Sequence, residues 1–327
     1  MILERRTLKF GRIFLVLALC AALLGSLPVE ALGLETDNGI LWLSVQDDPA
    51  EVGYGAFVLG AAGQDSLLTY ARFYSSCTTV MVNGTAYRFD EGQVVTPVRE
   101  TEDGSIVLVQ RFGAVEVTQT LTLTTGNSQR EDMLRIHYAA VNLSGEDVLF
   151  SMRILLDPAL AGVESHEVAV GEMLCHRETA FSGDQIPDNW SIRDSDGQIL
   201  AYGIVDGGNG KPDMLLAANW GRLFDHKSDC TTEGSAVITD NAVALVWQDR
   251  TVKTGGTVEL STKYGLYSTD PVATTQPTEQ TTVPTSQPVV TPPTGDAFLL
   301  PGVVLMLALS CAAMVTLAVF AKRRDNR

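Results

Sequence analysis

Cysteine is scarce in this chain, five residues among 327, and only Cys77, Cys175 and Cys230 lie outside its two apolar ends. Three thiols allow at most one disulfide, and none sits in a C-x-x-C pair. Neither a disulfide scaffold nor a structural zinc site is expected. Histidine is scarcer, with four residues: His137, His166, His176 and His226. None of them stands at a metal-binding spacing such as H-E-x-x-H. The chain also lacks a G-x-S-x-G elbow, a P-loop and a dinucleotide fingerprint. Asp194-Ser195-Asp196-Gly197 opens like a calcium loop, but no Glu follows in the required register. No metal and no cofactor are expected. Basic residues are outnumbered 39 to 23, giving a net charge of −16. Eight of the basic residues belong to 1–31 and 295–327, so the stretch between holds fifteen basic and thirty-five acidic residues. A surface this acidic repels nucleic acid, and no such partner is expected.

Long apolar runs occur only at the two ends. Arg5, Arg6, Lys9 and Arg12 precede an apolar core from Ile13 to Leu24, and Val29-Glu30-Ala31 offers a small-residue cleavage site. That pattern predicts a signal peptide over 1–31, cleaved after Ala31. At the other end Thr291-Pro292-Pro293-Thr294-Gly295 is followed by an apolar run over 297–321 and by Lys322-Arg323-Arg324. About 20 apolar residues at about 1.5 Å rise suffice to cross a bilayer, which predicts one transmembrane helix. The basic cluster after it stays cytoplasmic. The export signal and the terminal anchor place the middle of the chain outside the cell.

The tripartite end, 291–327, resembles the sorting signal of Gram-positive cell-wall-anchored surface proteins. In that family sortase reads a Leu-Pro-x-Thr-Gly peptide and joins the cut Thr to the wall. Here Thr291 replaces the Leu, while Pro292, Thr294 and Gly295 are in register and Pro293 fills the free position. The resemblance implies sortase and peptidoglycan as partners, the membrane as a temporary one, and a final place on the cell wall or cell surface. A retained single-pass anchor is the alternative. Between body and signal, 271–290 is rich in Thr and Pro and has no apolar periodicity, which predicts an extended stalk.

The remaining body, 32–270, reads as strand. Leu41 to Val45 opens it. Thr79–Val82 and Thr85–Phe89 flank Asn83-Gly84, a strong hairpin signal. Alternating runs follow over 114–125 and from Met133 to Val141, and further strands are expected at Val148–Leu156, Leu200–Val205, Met214–Ala218, Ala242–Trp247 and Thr257–Tyr264. Gly126 to Asp132 reads as the turn of a hairpin. Strands divided by Gly, Asn and Asp turns, without a sustained 3.6-residue period, predict an all-β class. One large antiparallel two-sheet sandwich is expected rather than two smaller domains.

The strand texture of Asp132 to Ile136, Asn142 and Arg153 to Asp157, with the closing Tyr264-Gly265-Leu266, resembles galactose-mutarotase-like supersandwich domains. That family works on sugars with histidines and a carboxylate, but no motif places those roles on positions of this chain. Trp190 with Asp188 and Asn189, and Trp220 with Asn219, have the makings of a sugar-binding shelf, a flat apolar face beside hydrogen-bonding groups. Both tryptophans as core plugs are the competing reading. The leading expectation is a surface protein that binds an extracellular glycan or protein without catalysis. Its alternatives are a supersandwich-type carbohydrate-active enzyme on the wall and a structural ectodomain.

Overall fold

The computed structural model describes residues 33–268 apart from 64–65, 161–165 and 229. The chain divides into two compact units, Met1–Ala273 and Thr274–Arg327, and every described residue belongs to the first. The expected signal peptide, stalk and sorting peptide and the 297–321 run all lie outside the described residues.

Four short strands come first: β1 (Leu34–Asp37), β2 (Leu41–Val45), β3 (Phe57–Ala61) and β4 (Ser66–Leu67), paired in that order. β5 (Cys77–Val82) and β6 (Thr85–Arg88) follow as a hairpin. Asn83 and Gly84 have φ of 48° and 81°, the positive pair that a two-residue turn of this twist requires. Next come β7 (Gln93–Glu100), β8 (Ile106–Phe112), β9 (Val115–Thr124), β10 (Met133–Asn142) and β11 (Val148–Leu156). β12 (Glu167–Val170), β13 (Met173–Cys175), β14 (Thr179–Ser182), β15 (Asn189–Arg193), β16 (Ile199–Ile204) and β17 (Met214–Asn219) are shorter. Helix α1 (Trp220–Asp225) precedes the two closing strands, β18 (Asn241–Val252) and β19 (Thr257–Gly265).

All pairings between these strands are antiparallel, and three sheets result. Besides the four-stranded one, a nine-stranded sheet runs β13-β12-β15-β16-β19-β10-β9-β8-β7 and a six-stranded sheet runs β14-β17-β18-β11-β5-β6. The expectation of two sheets is corrected to three. Leu41, Leu43 and Leu59 of the small sheet share one core with Leu121 and Tyr138 of the nine-stranded sheet and with Val80 and Phe150 of the six-stranded one.

Periodicity explains the faces. In β9 and β10 burial alternates, so Val117, Leu121, Ile136 and Tyr138 enter the core while Thr118, Thr120, Arg135 and His137 face away from it. β18 differs, because Asn241 to Trp247 are all buried. A second apolar cluster of Leu155, Leu216, Ala218, Ala242, Ala244 and Val246 lies under Leu223 of α1, so this strand is covered on both faces. The interior also has polar ties. Tyr138 Oη lies 2.7 Å from Thr78 Oγ1 and accepts from Gln119 Nε2 at 2.9 Å, joining the two large sheets.

Candidate functional site

The outward face of the nine-stranded sheet gathers side chains that can move protons. β10 pairs with β19 so that Arg135 stands opposite Lys263, His137 opposite Ser261 and Ala139 opposite Glu259. On the other side β9 sets Thr122 beside Arg135 and Thr120 beside His137. Because side chains alternate along a strand, these residues share one face and are close neighbours.

A loop from the end of β16 folds over this face. Asp206 Oδ1 accepts from the amides of Gly208 at 2.8 Å and Gly210 at 3.0 Å, which winds Asp206-Gly207-Gly208-Asn209-Gly210 into a compact turn. Gly207 lies flat on β19, and a Cβ there would meet Ser261 Oγ at 2.5 Å. The turn thereby delivers Asn209, whose Oδ1 accepts from Arg135 Nη2 at 3.0 Å and from Ser261 Oγ at 2.8 Å. Asn209 Nδ2 donates to Glu259 Oε2 at 2.9 Å. One amide thus bridges a guanidinium, a hydroxyl and a carboxylate.

His137 Nε2 stands 3.6 Å from Glu259 Oε2, with the histidine side chain 17% exposed and the carboxylate 53% exposed. Partial burial holds the imidazole below the usual histidine range, and the Arg135 charge adds to that; Glu259 pulls the other way. The site thus favours the neutral form of His137. Lys263 is likewise held below its ordinary value, first by burial and then by Arg135 beside it. An imidazole, a carboxylate and two basic side chains on one sheet face form an acid–base constellation.

The tryptophan shelf does not form. Trp190 is fully buried and stacks on Tyr264, with centroids 5.1 Å apart and planes at 10°. It lies within β15, where Trp190, Ser191 and Ile192 are all buried, so it is a core residue. Its neighbour Asp188 is exposed and paired with Lys211 at 2.6 Å, and Asn189 is half-buried. Trp220 starts α1 in the other large sheet's covering layer, stacked on Phe224 at 4.5 Å, its Nε1 donating to the Ser75 carbonyl. Asn219 is used up internally, donating to Glu178 and to the Val237 carbonyl and accepting from Thr239. The two groups sit on different sheets and make no common surface. Asp194 accepts from the amides of Asp196 and Gln198, forming the β15–β16 turn.

Cys77 and Cys175 are free thiols. Burial pushes Cys77 up to about 11 against the pull of Arg153 and Arg88, which leaves it protonated and a poor nucleophile. An interior cavity lined by Tyr54, Thr78, Gln119 and Tyr138 has about 20 Å³, room for one water and far too little for a sugar. Reading the sequence alone gives His137 as an ordinary strand residue. The pairing register that brings Glu259 to it across 122 positions is what that reading missed, and only alternation within 133–141 and 257–264 hinted at their common face.

No protein-family model matches the chain, and no curated protein matches it. Solved structures do. A galactose mutarotase related enzyme from Lactobacillus acidophilus is 10% identical, with 73% of this chain and 98% of that one covered and a TM-score of 0.48. A candidate aldose 1-epimerase from Escherichia coli K12 is 12% identical over 71% and 98%, with a TM-score of 0.44. A galactose mutarotase-like protein from Lactobacillus casei is 11% identical over 72% and 99%, with a TM-score of 0.39. The chain's structural neighbours are thus galactose-mutarotase-like β-sandwich proteins. The expectation of a binding module without catalysis is corrected, because the tryptophan shelf on which it rested does not form: Trp190 is buried and Trp220 is packed on Phe224.

Proposed function

We propose that this chain is a carbohydrate-active enzyme of supersandwich type, exported and displayed at the cell surface, that interconverts aldose anomers by proton transfer. The observation that carries the reading is the His137–Glu259 pair on the outward face of the nine-stranded sheet. Glu259 favours the tautomer with hydrogen on Nε2, which leaves Nδ1 with its lone pair. That nitrogen takes the proton of the anomeric hydroxyl and returns it to the ring oxygen as the C1–O5 bond breaks and a C1 carbonyl forms. Rotation about C1–C2 and reversal of the same steps closes the other anomer. No atom or electron is gained or lost, so neither cofactor nor co-substrate is needed. Glu259 stabilises the transient imidazolium, and Asn209 holds Glu259 in place.

The export signal and the Thr291–Gly295 peptide support the surface address. The test is polarimetry of freshly dissolved aldoses with the purified full chain. Wild type is expected to speed equilibration, and His137→Gln to lose about 100-fold or more, the scale of a general acid–base group. A His137→Gln protein as fast as wild type would overturn the assignment.

A further inference from the structure

The described body is strongly acidic, yet two cations stand side by side on its proposed working face with no carboxylate between them. Arg135 and Lys263 are directly opposite in the β10–β19 register. Like charges in that position repel, so a sheet selected only for stability would separate them or insert an acid. Among the described residues neither takes part in an ion pair. Arg135 Nη2 donates to Asn209, while its Nε is buried with no hydrogen-bond partner. Lys263 Nζ donates to the Thr125 carbonyl at 2.9 Å, a neutral acceptor that leaves its charge uncompensated. Both side chains are half-buried, in a setting where an anion gains more than it would in open water. Glu259, the carboxylate that would compete, lies beyond His137, opposite Ala139.

We infer that Arg135 and Lys263 form an anion subsite for the carboxylate of an acidic sugar such as a uronic acid, one strand step from His137. A guanidinium offers two parallel donors to a planar carboxylate and the ammonium adds a point charge. A sugar gripped there lies along β10, with its ring against His137 and the hydroxyls of Thr120 and Thr122. The inference rests on the reading of His137 and Glu259 as the reacting pair, and it narrows the substrate from aldoses in general to acidic ones.

The test measures binding separately from turnover. Isothermal titration of the full chain compares galacturonate with galactose, and glucose 6-phosphate with inorganic phosphate. Galacturonate is expected to bind at least tenfold more tightly than galactose. Lys263→Gln and Arg135→Gln should bring that ratio towards one, and Lys263→Arg should keep it. Equal affinity for galacturonate and galactose overturns the subsite, as does a preference that survives Lys263→Gln and Arg135→Gln. Phosphate or glucose 6-phosphate binding as tightly as galacturonate overturns the carboxylate assignment. A tenfold preference in a protein without turnover sustains the subsite and sinks the enzyme reading, whereas turnover on galactose and galacturonate alike does the reverse.

Discussion

Glu178 is a carboxylate almost without solvent contact in a body already rich in acids. Its oxygens accept from Arg222 Nε at 2.8 Å, from the Glu233 amide at 2.8 Å, and from the Asn219 amide and side chain at 3.1 Å each. Burial alone raises its pKa, but these donors together outweigh that and hold it below the ordinary value. A depressed carboxylate stabilises the fold above its unfolded pKa of about 4.3, and the benefit disappears as pH falls through the lower folded value. Glu178→Ala is therefore expected to cost about 3–5 kcal/mol at pH 7 in urea denaturation, with the gap to wild type closing in acid. His137 has the opposite chemistry and the same sign: its depressed pKa means the fold prefers it neutral, so protonation below about pH 6.5 destabilises. The acid limb of the rate profile should accordingly fall below the usual histidine value, and a limb above it would contradict the environment described. Trp190 tests packing instead. Gly203 lies under its ring, where a Cβ would stand 2.1 Å from the indole. Gly203→Ala should lower the thermal midpoint sharply, and Trp190→Leu should recover part of that loss if the clash is the cause.

Helix α1 illustrates how tertiary contacts make an element that local preference does not. Six residues are too few to be stable alone, and its first residue ends a strand pattern in the sequence. Two arginines hold its carboxyl end. Arg153 Nη2 and Nη1 donate to the carbonyls of Leu223 and His226, and Arg88 Nη2 donates to that of Phe224. Those oxygens have no partner inside the helix, and the cations also oppose its dipole. Arg88 adds a stacked contact, its guanidinium carbon 3.9 Å from the Phe224 ring centroid. Arg153→Met should leave at least one buried carbonyl unmet, at about 1–3 kcal/mol, and accelerate amide exchange across 220–226. Unchanged exchange there would mean that the apolar contacts to Leu216 and Val246 hold the helix unaided. β18 makes the same point about length. Its expected end at Trp247 moves to Val252 because the chain kinks at Asp249, φ 52°, and resumes pairing past a bulge opposite Phe150 and Met152.

At the scale of the molecule the three sheets act as one body. Tyr264 Oη donates to the Leu68 carbonyl at 2.6 Å, tying the last strand to the end of the small sheet. Tyr138 and Thr78 join the two large ones. Such cross-sheet bonds, buried and made between residues far apart in sequence, predict a single cooperative unfolding transition for this unit. The whole chain also has an address to test. Mass spectrometry of muralytically digested walls should find a peptide ending at Thr294 with a wall fragment attached. An intact chain through Arg327 in the membrane fraction would instead establish a retained anchor.

The sequence by itself determined the strand class, the Asn83-Gly84 hairpin and the positions of β2, β10, β11 and β19 to within a residue. These are local properties: alternation sets a strand's faces, and turn chemistry sets its ends. It did not determine which strands become neighbours. The third sheet, the burial of Trp190, the helix at Trp220 and the meeting of His137 with Glu259 all depend on pairings between distant segments, where no nearby residue records the outcome. Arg135 and Lys263 are unremarkable cations in the sequence; only the β10–β19 register sets them opposite each other, because backbone hydrogen bonding fixes cross-strand neighbours that the order of residues leaves open.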